Sequence, residues 1–171
     1  MPKSATVKRK KAKRLYHSAK ISDYRFRKVL RCFAQDRSAR DTARETGLSI
    51  NSVASLFHKL RVFFTELKLF SDLYEGKDPS DFEPGMELYE RALLEFHFQR
   101  VRAKHGLNSP MDEPDYHFAE SCWRYHYKVM ADQRASDQLP TMMFNHLLEL
   151  IRLCGPVGKT PVNRRAGYEP S

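Results

Sequence analysis

Glycine is scarce in this 171-residue chain, at seven residues, and runs of β-branched residues are few. A chain poor in both favours helices over strands. The three cysteines, Cys32, Cys122 and Cys154, form no short-spaced pair, and their odd number argues against a disulfide framework. A reducing compartment is the simplest expectation. No apolar run approaches the ~20 residues that span a bilayer, and the first residues lack the apolar stretch of a secretory signal. The expected partners therefore include no membrane, and the expected location is the cytoplasm. Acid is missing altogether from residues 1–20, which carry Lys3, Lys8, Arg9, Lys10, Lys11, Lys13, Arg14 and Lys20.

Such a basic run repels itself and cannot form a core, so residues 1–20 are expected to be a disordered arm. Lys8, Arg9, Lys10 and Lys11 in it are suited to neutralising phosphates, which adds affinity without sequence information. In a eukaryote, Lys8–Arg14 would also pass as a nuclear import signal. The asymmetry extends further. Residues 1–64 hold seventeen Lys/Arg against four Asp/Glu, whereas residues 65–171 hold thirteen against seventeen. A basic front half on a mildly acidic back half points to a nucleic-acid partner.

What is present is enough apolar material for a core: 41% hydrophobic residues, eleven of them Phe. Ser22 is suited to cap a first helix with Asp23 in its first turn, and Phe26, Val29, Leu30 and Phe33 follow at helical spacing. A second helix is expected from Ser38 to Thr46, ended by Gly47. Ser49 then caps a third helix starting near Ile50. Its apolar residues Val53, Leu56, Leu60, Phe63, Leu67, Phe70 and Tyr74 make a seam of alternating three- and four-residue steps. Either this helix is long or a second one starts near Thr65. The seam can pack on later helices or pair with a second copy, and a homodimer through Val53–Tyr74 is the favoured expectation.

Gly76, Pro79 and Pro84 mark residues 75–84 as a linker. Three more helices are expected over about Pro84–Lys104, Pro114–Arg134 and Pro140–Cys154. The first of them should bury Met86, Tyr89, Leu93, Phe96 and Val101. The organisation expected is all-α. A basic arm (1–20) leads into a tri-helical domain (21–74), then the linker (75–84), a helical C-terminal region (85–155) and an irregular tail (156–171).

The segment Ser38–Arg61 meets the requirements of a helix-turn-helix. Ala43 is small where the second helix must approach, and Gly47 tolerates positive φ at the turn. Leu48, Val53 and Leu56 are the apolar pins. The second helix of such a motif enters the major groove, with its N-terminal residues at base edges. Ser49, Asn51, Ser52 and Ser55 are therefore the candidate base contacts, Asn51 being able to pair bidentately with adenine. Arg37, Arg40, Arg44, Lys59 and Arg61 are read as phosphate contacts.

The run Ser38-Ala39-Arg40-Asp41-Thr42-Ala43-Arg44-Glu45-Thr46-Gly47-Leu48-Ser49, with Ser52-Val53 and Leu60-Arg61 after it, resembles the N-terminal helix-turn-helix of insertion-sequence transposases. In that family the motif recognises element ends, and an RNase H-like domain with three metal-binding carboxylates performs strand transfer. His117-Phe118-Ala119-Glu120-Ser121-Cys122-Trp123 resembles the closing region of those enzymes, which implies Glu120 as the last catalytic carboxylate. Residues 65–115 contain no β-rich stretch to carry the other two. The resulting expectation is sequence-specific binding of double-stranded DNA, as a transposition-related protein or a transcriptional regulator associated with the nucleoid. The alternatives are an active transposase using Glu120 and a structural RNA-binding protein.

Other chemistry is set aside. Gly155–Thr160 resembles the end of a phosphate-binding loop, but Leu153 stands where that loop needs glycine. Cys122 and His126 have the i, i+4 spacing of a metal pair, yet no second short-spaced pair completes a four-ligand set. Tyr116, Trp123, Tyr125 and Tyr127 are read as packing rather than as a platform for single strands. No cofactor and no metal are expected.

Overall fold

The computed structural model describes residues 14–18, 20–67, 88–105, 114–131 and 136–158. Each helix of the N-terminal part begins where a short polar side chain can satisfy an orphan amide. Ser22 Oγ accepts from the Arg25 amide and starts α1, Asp23–Ala34. Ser38 Oγ accepts from the Asp41 amide and starts α2, Ala39–Thr46. Ser49 Oγ accepts from the Ser52 amide at 3.1 Å at the head of α3, Ile50–Leu67. Gly47 ends α2 with a φ of 69°, its amide returning to the Ala43 carbonyl at 2.9 Å. This left-handed turn is inexpensive for glycine and leaves only Leu48 and Ser49 between it and α3.

Three further helices follow: α4, Leu88–His105; α5, Pro114–Ala131; and α6, Leu139–Cys154, which is entered through a short 3-10 turn, Ser136–Gln138. Every regular element among the described residues is helical, so the fold is all-α. None of these helices is long and apolar enough to cross a membrane.

One hydrophobic core runs through both halves of the chain. Phe33 of α1 stacks on Trp123 of α5 with centroids 6.1 Å apart, and Trp123 stacks on Phe64 of α3 at 4.9 Å. Leu147, Leu150 and Ile151 of α6 complete the same cluster. The Trp123 indole donates to His146 Nδ1 at 3.1 Å, which satisfies the polar end of a fully buried ring. A smaller cluster of Leu93, Phe118 and Cys122 joins α4 to α5.

This continuity bears on three sequence expectations. The expected linker, 75–84, lies outside the described residues, and residues 21–67 share one core with the C-terminal helices, as the first of the two roles expected for the seam requires. The described part of the seam is consumed inside the chain: Val53, Leu60 and Phe63 are fully buried and Leu56 nearly so. Those positions are closed to a second copy, because α3 packs on α1, α2 and α5. Phe70 and Tyr74 lie outside the described residues. The third concerns the boundaries at 20 and 156, across which described residues join the core. Leu15 and Tyr16 are buried, Tyr16 stacks on Phe26 at 5.1 Å, and Val157 is fully buried beside them. Tyr16 and Val157 form a parallel bridge, with the His17 amide donating to Val157 and the Val157 amide to Leu15.

In α4 the expected core partly changes. Leu93 is buried, but Phe96 and Val101 are half-buried, while His97 and Arg100 take the inward positions. Met86 lies outside the described residues, as do Gly106 and the tail from residue 159.

A core shared by α1, α3, α5 and α6 should unfold as one unit. Leu147→Ala, a truncation on α6, is expected to cost about 2–5 kcal/mol. Trp123 fluorescence and far-ultraviolet circular dichroism should report the same shifted denaturation midpoint. Two separate transitions would show that the halves are independent.

Candidate nucleic-acid interface

The first turns of α3 are exposed on one side because Val53, Leu56 and Phe57 face inward. Asn51, Ser52 and Ser55 project outward from that side. They line a groove of about 440 Å³ whose other wall is the N-terminal segment, through Tyr16, Ser18, Lys20 and Ile21. Leu48 and Leu56 are its apolar lining. The candidate base contacts Asn51, Ser52 and Ser55 thus share one groove. Ser49 is different: its Oγ is occupied as the cap of α3 and lies 2.8 Å from Ser52 Oγ.

The candidate phosphate contacts separate into distinct groups. Arg40 and Arg44 are exposed on α2, Arg44 lying 3.5 Å from Asp41. Arg37 pairs with Glu45 across α2. Lys59 donates from Nζ to the Tyr16 hydroxyl at 2.7 Å and sits 5.3 Å over the same ring. Its ammonium therefore holds the N-terminal segment against α3. Lys8, Arg9, Lys10 and Lys11 lie outside the described residues.

Arg61 is a correction. Its side chain is 15% exposed, and its Nε donates to Glu120 Oε2 at 2.6 Å. It belongs to a buried ion cluster instead of an outer surface. Glu120 is completely buried on α5, with Oε1 accepting from Arg124 Nε at 2.8 Å and from Arg100 Nη2 at 2.5 Å. Arg124 also donates to the last carbonyls of α1, at 2.6 Å to Phe33. Arg100 reaches Asp36 at 3.0 Å, and Lys104 pairs with the same carboxylate. Three helices, α3, α4 and α5, thereby meet at the Glu120 carboxylate, and Arg124 and Arg100 link it to the end of α1 and the turn after it.

Asp36 adopts a φ of 57°, the left-handed conformation usually left to glycine or asparagine. Its amide donates to Phe33 and the Arg37 amide to Cys32, the paired bonds of a Schellman turn. Glycine would suit the backbone equally well but would supply no carboxylate to Arg100 and Lys104.

The electrostatics follow from this packing. Burial pushes the Glu120 pKa up, but the charges of Arg100, Arg124, Arg61 and Lys104 outweigh it and hold the carboxyl well below the ordinary range. Burial likewise raises Asp36, and Arg124 and Arg100 bring it below its usual value. Beside them His97 is lowered to about 4 by burial and by Arg100, and its Nδ1 lies 2.9 Å from Ser121 Oγ.

Glu120 is consequently not a metal carboxylate poised for strand transfer. Both oxygens are engaged by guanidinium groups, and no solvent reaches them. Among the described residues no group of three or more His, Cys, Asp or Glu side chains is placed to hold a metal. Cys122 packs in the smaller cluster, where burial pushes its thiol up to about 12, while His126 faces outward. Gly155 serves as the C-cap of α6, and Lys159 and Thr160 lie outside the described residues. Tyr125 packs on Phe96, Tyr127 on Trp123 and Tyr116 on His58.

Sequence reasoning missed Arg100, Arg124 and Asp36. Two signals were available: Glu120 and Arg124 stand at i, i+4, and His97, Arg100 and Lys104 continue the inward register of Leu93.

Removing one partner of a buried ion pair strands the others, so Glu120→Gln is expected to cost about 3–5 kcal/mol in denaturant unfolding. The folded pKa of Glu120 lies well below the ordinary carboxylate range. Its stabilisation is therefore fully present above the unfolded value and is lost as pH falls through the folded one. The acid limb of the stability curve should flatten in Glu120→Gln relative to the parent; an unchanged limb would remove Glu120 as its source.

Comparison with known proteins returns no match to this chain from family models, curated proteins or solved structures.

Proposed function

We propose that this protein binds double-stranded DNA sequence-specifically, with the N-terminal turns of α3 in the major groove. The observation that carries this reading is the groove shared by Asn51, Ser52 and Ser55 with Ser18 and Lys20. It presents amide and hydroxyl groups that can donate and accept at base edges, next to the point where a strongly basic segment joins the fold. The short turn through Gly47 supports it further, since it brings α2 against α3 while the head of α3 stays outward. The excess of Lys/Arg in residues 1–64 supplies the sequence-independent part of the affinity.

In the cell this activity corresponds to a transcriptional regulator or a transposition-related protein acting at the nucleoid. The burial of Glu120 weighs against a strand-transfer role for that residue. Exposed polar groups at a helix head favour duplex DNA over structured RNA, whose deep major groove excludes a helix.

Selection of bound fragments from a random duplex pool tests the proposal, and a defined consensus is the expected result. Asn51→Ala should then relax discrimination at one base position by about 1–3 kcal/mol while binding to random duplex stays nearly constant. Equal losses on consensus and random duplexes would remove Asn51 from the base-reading set. Absence of any consensus, or a preference for RNA, would overturn the proposal.

A further inference from the structure

The helix α1 has two opposed faces. Phe26, Val29, Leu30 and Phe33 are buried against the core. Tyr24, Arg27, Lys28 and Arg31 recur at i, i+3, i+4 and i+7, which places them together on the opposite side of the helix. Tyr24 is 68% exposed, with Lys28 Nζ 4.9 Å over its ring. The Arg31 guanidinium rests 5.1 Å from the Phe144 ring of α6. Arg25 is exposed beside this strip, and exposed Lys20 precedes it at the rim of the groove beside Asn51.

No acid among the described residues neutralises this surface. The one acid of α1, Asp23, is half-buried and lies 3.4 Å from the Leu15 amide. Among the described residues no carboxylate is in salt-bridge range of Arg25, Arg27, Lys28 or Arg31. Apart from the exposed Arg40, the described Lys and Arg side chains on α2, α3 and the turn before α2 contrast with this. Arg37 and Arg44 face Glu45 and Asp41, Arg61 is held by Glu120, and Lys59 is spent on Tyr16.

We infer that the outer face of α1, from Lys20 to Arg31, is a phosphate-binding strip along which the backbone of a DNA duplex lies. A cation already paired with a carboxylate releases little counterion when a phosphate approaches, whereas an unpaired one contributes in full. The strip begins at the groove, so one duplex seated on α3 continues onto it. Residues on the strip set affinity and orientation and carry no base preference. This inference rests on the proposed duplex binding, and its failure is separable from failure of that reading.

The test is the salt dependence of duplex binding by the full chain. For Arg27→Gln/Lys28→Gln the slope of log affinity against log salt should fall in magnitude by about 1.8, at roughly 0.9 per lost phosphate contact. Consensus and random duplexes should weaken alike. Both side chains lie on the solvent side, so helix content should match the parent. Should it not, Arg25→Gln carries the same test with a change of about 0.9. An unchanged slope, with the Asn51-dependent preference intact, overturns the strip and leaves duplex binding standing. No duplex binding by the unsubstituted chain overturns both.

Discussion

A fully buried carboxylate cannot stay ionised unless cations meet it, and the packing of four helices is organised around that requirement at Glu120. Arg61 arrives from α3, Arg100 from α4 and Arg124 from one turn further along α5. Arg124 then spends its remaining donors on the end of α1, so one guanidinium closes a helix terminus and an ion pair together. A cluster of this kind adds little net stability over a well-packed apolar core of the same volume. Its contribution is positional: a helix that slides by one residue leaves a charge stranded in a dry site. Asp36 and Lys104 extend the same logic to the rim of the cluster, where the turn after α1 is held in a conformation costly for a residue with a side chain.

This arrangement explains why the head of α3 is free to face solvent. The far end of α3 is fixed by Arg61 and by Phe63 and Phe64 in the aromatic core. Its near end is fixed by the Gly47 turn and by Leu48, which packs against that core. Between these anchors Asn51, Ser52 and Ser55 have no packing duty, and the geometry of their groove is set by elements that do. A rigid platform of this sort lets small polar side chains act at defined positions.

Local features of the fold are legible in the residues themselves. Ser22, Ser38, Ser49 and Gly47 mark helix ends through bonds to residues three or four positions away, and a reader of the sequence sees both partners at once. The apolar seam of α3 is visible for the same reason. Burial of charge is not local. Arg61 and Glu120 are 59 residues apart, and Arg124 meets Phe33 across 91. An arginine on a helix near a motif expected to read DNA looks like a phosphate contact until its partner is found. The same limitation hid Leu15 and Tyr16, which stand in a basic run and become core only because Val157 and Lys59 close over them. It also left α1 without a role, since whether a cation is neutralised depends on which acids the fold brings near.

The clasp of Tyr16 between Phe26, Lys59 and Val157 has a consequence for timing as well as for packing. It fixes one wall of the groove beside Asn51 to α1, to α3 and to the segment after α6. In the proposed mode of binding that wall is already in place when a duplex arrives, so less conformational freedom is lost on association and the complex forms without a slow ordering step.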